Sequence, residues 1–308
     1  MNGYVRKLQS ISIAGISPLI RALFRHRNLS ERRSVPAPIF IVGAPRTGST
    51  ILYQAITNAF DVLYFDNLSA RWHRTPLFGL KLSHRRYGSA PHNSFTSSHG
   101  VTEGGHAPNE CGEFWYRWFP RDQHFVADAP EKVILNIRRE INETCAVFGK
   151  PFVFKNLNAG QRLRVIARAF PDARIIFIRR DPRFVLRSIL LARRRLGIGA
   201  GRWWSVRPPG YEKFLGLTEM EMCAAQIFQI EKQILEDIEL FPESNVHMVE
   251  YDSLSQERIL HLGAALGLRR RANGKLPEFS KDNEEKLSKA ELAALTAVLQ
   301  PHVSEQQR

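Results

Sequence analysis

The segment Gly43-Ala44-Pro45-Arg46-Thr47-Gly48-Ser49-Thr50 brings two glycines, three hydroxyls and one cation together in a short stretch of chain. Glycines let backbone N–H groups come close to an anion, and a helix beginning near Ser49 turns its positive end toward the same point. Ser49 and Thr50 add hydroxyl donors, and Arg46 adds charge. The chemistry open to such a group is the holding of a phosphate. A second set of the same type lies downstream, where Arg180 and Ser188 stand about two helical turns apart and a guanidinium and a hydroxyl can meet around one more phosphate.

The elements that must carry these residues can be read from their spacing. Ile39 to Val42 is an apolar run of buried-strand type, and Ile51, Leu52, Ala55, Ile56 and Ala59 recur at helical intervals. Arg174 to Ile178 reads as a second strand, Asp181 as an N-cap and Pro182 as the first residue of a helix running toward Leu196. Arg180 therefore stands at the carboxyl end of a strand, where open α/β sheets bind ligands. Two alternatives accompany these readings. The loop could be a Gly-rich strand-turn-helix with no ligand, since a triphosphate-binding loop of the form GxxxxGK[ST] needs a Lys that is missing before Ser49. Asp181 could be a magnesium-holding acid, although its capping place and its neighbours Arg179 and Arg180 argue against a divalent cation there.

Strands near Ile39, Val62, Phe152, Ile175 and Val246 alternate with helices, which predicts an α/β fold: one parallel sheet flanked by helices on both faces, P-loop NTPase-like. Thr218 with Glu221 forms a capping box opening a helix to about Leu240. Asn245 to Tyr251 then reads as a strand, Glu257 to Leu266 as a helix, and Ser288 to Leu299 as a last amphipathic helix. The expected organisation is a basic N-terminal extension over 1–35, a single domain over 36–300 and a polar tail over 301–308.

An apolar content of 44% and a charged content of 24% over 308 residues exclude wholesale disorder. Cys111, Cys145 and Cys223 are scattered and show no CxxC spacing, so neither a disulfide framework nor a zinc site is indicated, and a reducing cytoplasm fits. No apolar run reaches the length of a bilayer span; Ile11 to Phe24 is interrupted by Pro18 and Arg21. Its basic flanks suit either an amphipathic helix on anionic lipid, as peripheral membrane contact, or a helix packed on the domain. The net charge of +14 predicts attraction to anions without choosing among them, and no nucleic-acid-binding motif accompanies it. Arg193 to Arg195 read as a solvated helix face.

GAPRTGST near the amino end and FIRRDPRFVLRSI after a later strand together resemble the two nucleotide signatures of sulfotransferases that use 3′-phosphoadenosine-5′-phosphosulfate. PFVFKNLNAGQRLRVIARAFPDARIIFIRRDP and MVEYDSLSQERILHLGAALGL are similar to further parts of that family, so that the likeness runs from about Pro38 to Leu268 with a gap in the middle. It implies that Arg46, Thr47, Gly48, Ser49 and Thr50 bind the 5′-phosphosulfate and that Arg180 and Ser188 bind the 3′-phosphate. Sulfuryl transfer to an acceptor hydroxyl or amine by in-line displacement, without a metal, is the implied reaction. The competing classes are a P-loop kinase or other NTPase and a non-catalytic basic protein binding nucleic acid or membrane.

Lys155, ending the strand Phe152 to Phe154, resembles the catalytic Lys of many relatives. Cytosolic members often carry His two residues later, where this chain has Leu157, so the base is sought in SSHGVTEGGHAPNECGEFWYRWFP among Glu103, His106, Glu110 and Glu113. Glu110 ranks first because PNECGEFW resembles an acidic-aromatic segment of bacterial relatives, and His106 ranks second. His84, His92, His99 and His106 lack the short spacing of paired metal ligands. The variable stretch from Asn67 to Pro120 is the expected place of acceptor recognition, for a small-molecule, carbohydrate or lipid acceptor. GIGAGRWWSVRPPGYEKF, with Trp203 and Trp204, reads as a lid or as a loop pinned by its tryptophans.

Overall fold

The computed structural model describes residues 35–98, 100–279 and 288–306. The stretch Ile11 to Phe24 and His99 lie outside the described residues. Four strands, β1 (Ile39–Val42), β4 (Val153–Lys155), β5 (Arg174–Arg179) and β6 (Val246–Glu250), form one parallel sheet in the order β4-β1-β5-β6. Between β1 and β4 in the chain, β2 (Ser97–Ser98) and β3 (Val101–Thr102) make a small antiparallel hairpin.

Successive strand side chains point to opposite faces, and the sheet uses this to separate two cores. Phe40, Val42, Phe152, Phe154, Ile175 and Phe177 face one core; Ile39, Ile41, Val153, Ile176 and Ile178 face the other. The second is closed by α1 (Ser49–Ala59), through Leu52, Ala55, Ile56 and Ala59, and by Ile259 of a later helix. The first is closed by α3 (Glu131–Phe148), α5 (Pro182–Arg195) and α6 (Glu219–Ile238). The remaining α-helices of more than one turn are α2 (Pro76–Tyr87), α4 (Leu163–Ala169), α7 (Gln256–Ala265) and α8 (Lys289–Gln306). A sheet covered on both faces needs strands that are apolar throughout, which is why the continuous runs at Ile39 and Ile175 are legible as strands.

The strand expected at Val62 shrinks to a single parallel bridge between Leu63 and Phe152. Leu63 N donates to Pro151 O and Val153 N to Leu63 O, after which the chain leaves the sheet edge because its backbone finds other partners. Asn109 N bonds Phe65 O, Asn67 N bonds Ala107 O and Leu68 N bonds Gly105 O. These bonds draw the 105–109 segment against the sheet. The capping box at Thr218 and Glu221 is formed, and α8 continues past Pro301 through residues the sequence assigns to a polar tail. Among the described residues no helix is long and apolar enough to cross a membrane.

Candidate active site

All four strands of the parallel sheet deliver a functional side chain or loop at the same rim, just beyond their carboxyl ends. β1 runs into the Gly43–Gly48 loop, where a Cβ on Gly43 would lie 2.5 Å from the Ile178 carbonyl oxygen, so only glycine lets the chain leave beside β5. Thr47 Oγ1 ties the turn to Ala44 O at 2.9 Å. Gly48, at φ 89°, precedes α1 without any side-chain cap, leaving the N–H groups of the first turn open to an anion. Arg46 takes φ 70°, a left-handed backbone costing roughly 1 kcal/mol for a side-chain-bearing residue. Strain of this kind persists where the surroundings enforce it, commonly at functional sites.

Arg46 Nε donates to Ser188 Oγ at 2.9 Å, so the serine expected beside Arg180 is engaged by the loop's own cation. Burial lowers the pKa of Arg46, and the charges of Arg180 and Arg195 lower it further. Arg180, beyond β5, lays its guanidinium 4.3 Å from the centroid of Tyr251, the residue that follows β6. The same tyrosine ring fills the space above Gly48, where any Cβ would run into it. Arg180 Nε is buried with no hydrogen-bond partner among the described residues. A cluster of like charges with an orphaned donor gains stability when an anion enters. Asp181 is the N-cap, accepting from Arg183 N at 2.9 Å; burial raises its pKa, but hydrogen bonds from Arg183 outweigh that and hold it below the usual carboxylate range.

Lys155 ends β4 with only 3% of its side chain exposed. Its Nζ donates to Thr50 Oγ1 at 3.1 Å and pairs with the Glu110 carboxylate. The cation missing from the loop in sequence thus arrives in space from the neighbouring strand. Glu110 is presented by a tight turn in which Cys111 has φ 45° and Cys111 N donates to Asn109 Oδ1 at 2.7 Å. The other three candidate bases stand apart from Lys155. His106 stacks on Tyr87 at 4.4 Å, and burial lowers its pKa. Glu113 pairs with Arg121 at the surface, and Glu103 is exposed.

The segment after α5 is held at two points. Arg193, expected on a solvated face, is 1% exposed: its Nε meets Glu219 Oε1 at 2.7 Å, and its Nη atoms donate to Arg202 O and Gly199 O. The reason is that the following loop folds back and needs donors for its carbonyls. Gln226 bonds Trp204 O and Val206 O, and Trp203 Nε1 donates to Val206 O, so the Trp pair is pinned. Further out, Arg207 N donates to His124 Nδ1 at 2.9 Å. Burial, then Arg207 and Arg162, push the pKa of His124 down to about 4.

Tyr251 is the site residue that sequence reasoning passed over. An aromatic immediately after a parallel strand was the available signal, because that position faces the ligand edge.

A family model described as "Sulfotransferase family" matches residues 38–266. Sulfotransferase STF1 from Mycobacterium tuberculosis shares the fold with a TM-score of 0.54 at 12% identity, over 96% of this chain and 83% of its own. Sulfotransferase STF9 from Mycobacterium avium aligns with a TM-score of 0.48 at 14% identity, over 96% of this chain and 74% of its own. No curated protein matches the chain in sequence.

Proposed function

The chain belongs to the sulfotransferase family, and on that premise we propose that it moves the sulfuryl group of 3′-phosphoadenosine-5′-phosphosulfate to an acceptor hydroxyl or amine. The observation that carries the choice of donor is the pair of cation sites on one rim: Arg46 in an uncapped helix-start loop, and Arg180 with an unsatisfied buried Nε beyond the next strand. A donor with phosphates on both the 5′ and 3′ positions matches both sites, whereas a triphosphate leaves the second without a ligand.

The donor supplies an already electrophilic sulfuryl group, so the protein's part is alignment, charge stabilisation and proton removal. Ser49, Thr50 and the open N–H groups of α1 hold the 5′ end, with Arg46 as counter-charge. Arg180 and Ser188 hold the 3′-phosphate. Lys155 lies between Thr50 on the donor side and Glu110 on the other, where its ammonium stabilises charge on the bridging oxygen. Glu110 takes the acceptor proton. The acceptor approaches from the Glu110 side of Lys155, and work in a reducing cytoplasm suits the three free, buried cysteines.

Calorimetric titration with 3′,5′-adenosine bisphosphate, AMP and ATP, without metal, tests the donor. The bisphosphate is expected to bind best, and Arg180→Ala to weaken it about a hundredfold while AMP changes less than about threefold. ATP binding that is tighter and requires magnesium would overturn the reading in favour of an NTPase.

A further inference from the structure

We propose that Arg195 is a second arginine of the 3′-phosphate site, reaching back along its helix to the phosphate held by Arg180 and Ser188. The inference rests on the donor reading above and adds a residue to it.

Three consecutive arginines close α5, and they meet three different fates. Arg193 is buried and fully engaged with Glu219, Arg202 O and Gly199 O. Arg194 pairs with Glu291 of α8 at 2.6 Å. Arg195 has no hydrogen bond or ion pair among the described residues, although it is the same residue type on the same helical turn.

Helix geometry directs this remaining cation. Arg195 follows Ser188 by seven residues, which returns it to nearly the same face about 10 Å further along the axis. Long side chains on a helix lean toward its N-terminus, a tendency that shortens the gap between Arg195 and Ser188. Ser188 is the residue that Arg46 touches, at 2.9 Å. Arg195 also stands near enough to Arg46 for its charge to help lower the Arg46 pKa, behind burial and Arg180. The guanidinium groups of Arg180 and Arg195 therefore both lie within electrostatic reach of Arg46, which bonds Ser188, and none of the three has an ion pair among the described residues. Such a gathering is repulsive in the free protein and suits a phosphate dianion with several oxygens to share. Exposure of Arg195 to solvent leaves it free to close onto the ligand.

The test is calorimetric titration of wild type, Arg195→Ala and Arg194→Ala with 3′,5′-adenosine bisphosphate and with AMP at fixed ionic strength. Arg194→Ala removes the same charge from the same turn and reports any diffuse electrostatic effect. Arg195→Ala is expected to weaken the bisphosphate about tenfold, as for one lost charge-assisted contact, with AMP and every Arg194→Ala value changing less than about twofold. A wild type that prefers the bisphosphate, with Arg195→Ala binding it equally well, overturns this inference and leaves the donor reading standing. Equal losses in Arg194→Ala and Arg195→Ala overturn it as well, since the effect would then belong to the field of the helix end. A wild type that binds the bisphosphate no better than AMP overturns both.

Discussion

Arg46, Arg180 and Arg195 approach one another with no carboxylate paired to any of them among the described residues, whereas on the other side of the rim the cations are neutralised by the chain itself. There Lys155 pairs with Glu110, Arg117 with Glu140 and Arg121 with Glu113. The donor side is left to be neutralised by a ligand that brings its own charge. The paired cation at Glu110 suits a neutral hydroxyl or amine whose proton is the only charge to be moved. Lys155 sits on the boundary, bonded to Thr50 of one side and Glu110 of the other.

The contrast breaks most visibly at that boundary. Glu110→Gln is expected to lower turnover by about 10²–10³-fold, the range for a lost general base, while bisphosphate affinity stays within about twofold. Steady-state rates alongside titration check this. Normal turnover would pass the proposed role of base to His106 or Glu103.

Of intermediate size is the effect of the buried clamp that carries the loop after α5. Arg193→Ala strands Glu219 and two carbonyls, and a loss of about 2–4 kcal/mol is expected in urea unfolding, against less than about 0.5 kcal/mol for the exposed Arg194→Ala. Equal losses would mean that the arginine run is one solvated surface after all.

The smallest effect concerns the tie between His124 and Arg207. The His124 pKa is about 4 in the folded protein against an ordinary 6.5, so the unfolded chain binds the proton first as pH falls. The neutral ring's contribution is complete above pH 6.5 and is lost progressively toward about pH 4. Urea midpoints across that window should fall more steeply in wild type than in His124→Asn. Parallel curves would show that the loops carrying His124 and Arg207 are held by contacts other than this ring.

Legibility follows the same division. The loop at Gly43, the cap at Asp181 and the capping box at Thr218 are local arrangements, set by residues within a few positions of one another, and the sequence shows them directly. The fold followed from apolar runs and their alternation with helices. What escaped were meetings between distant segments: Tyr251 over Gly48, Arg46 on Ser188, and Arg193 turned inward by a loop that folds back over it. Val62 misled because its side chain is buried like that of a strand while the backbone from Phe65 to Leu68 bonds the 105–109 segment instead. Glu110 could be selected among four candidates by resemblance alone; its approach to Lys155 depends on the turn at Cys111, which no local pattern announces.

The register of β1 has a consequence for the order in which the molecule forms. Ile39 to Val42 lie at the centre of the sheet, yet their partners are residues 153–155 and 174–177. During synthesis the phosphate-binding loop leaves the ribosome before its partners, attached to an apolar strand that has nothing to pair with until roughly a hundred further residues have followed. Such long-range parallel pairing is slow and leaves apolar segments exposed while it waits. The Gly43 loop, the first part of the site to be made, becomes a binding site only when β5 closes beside it.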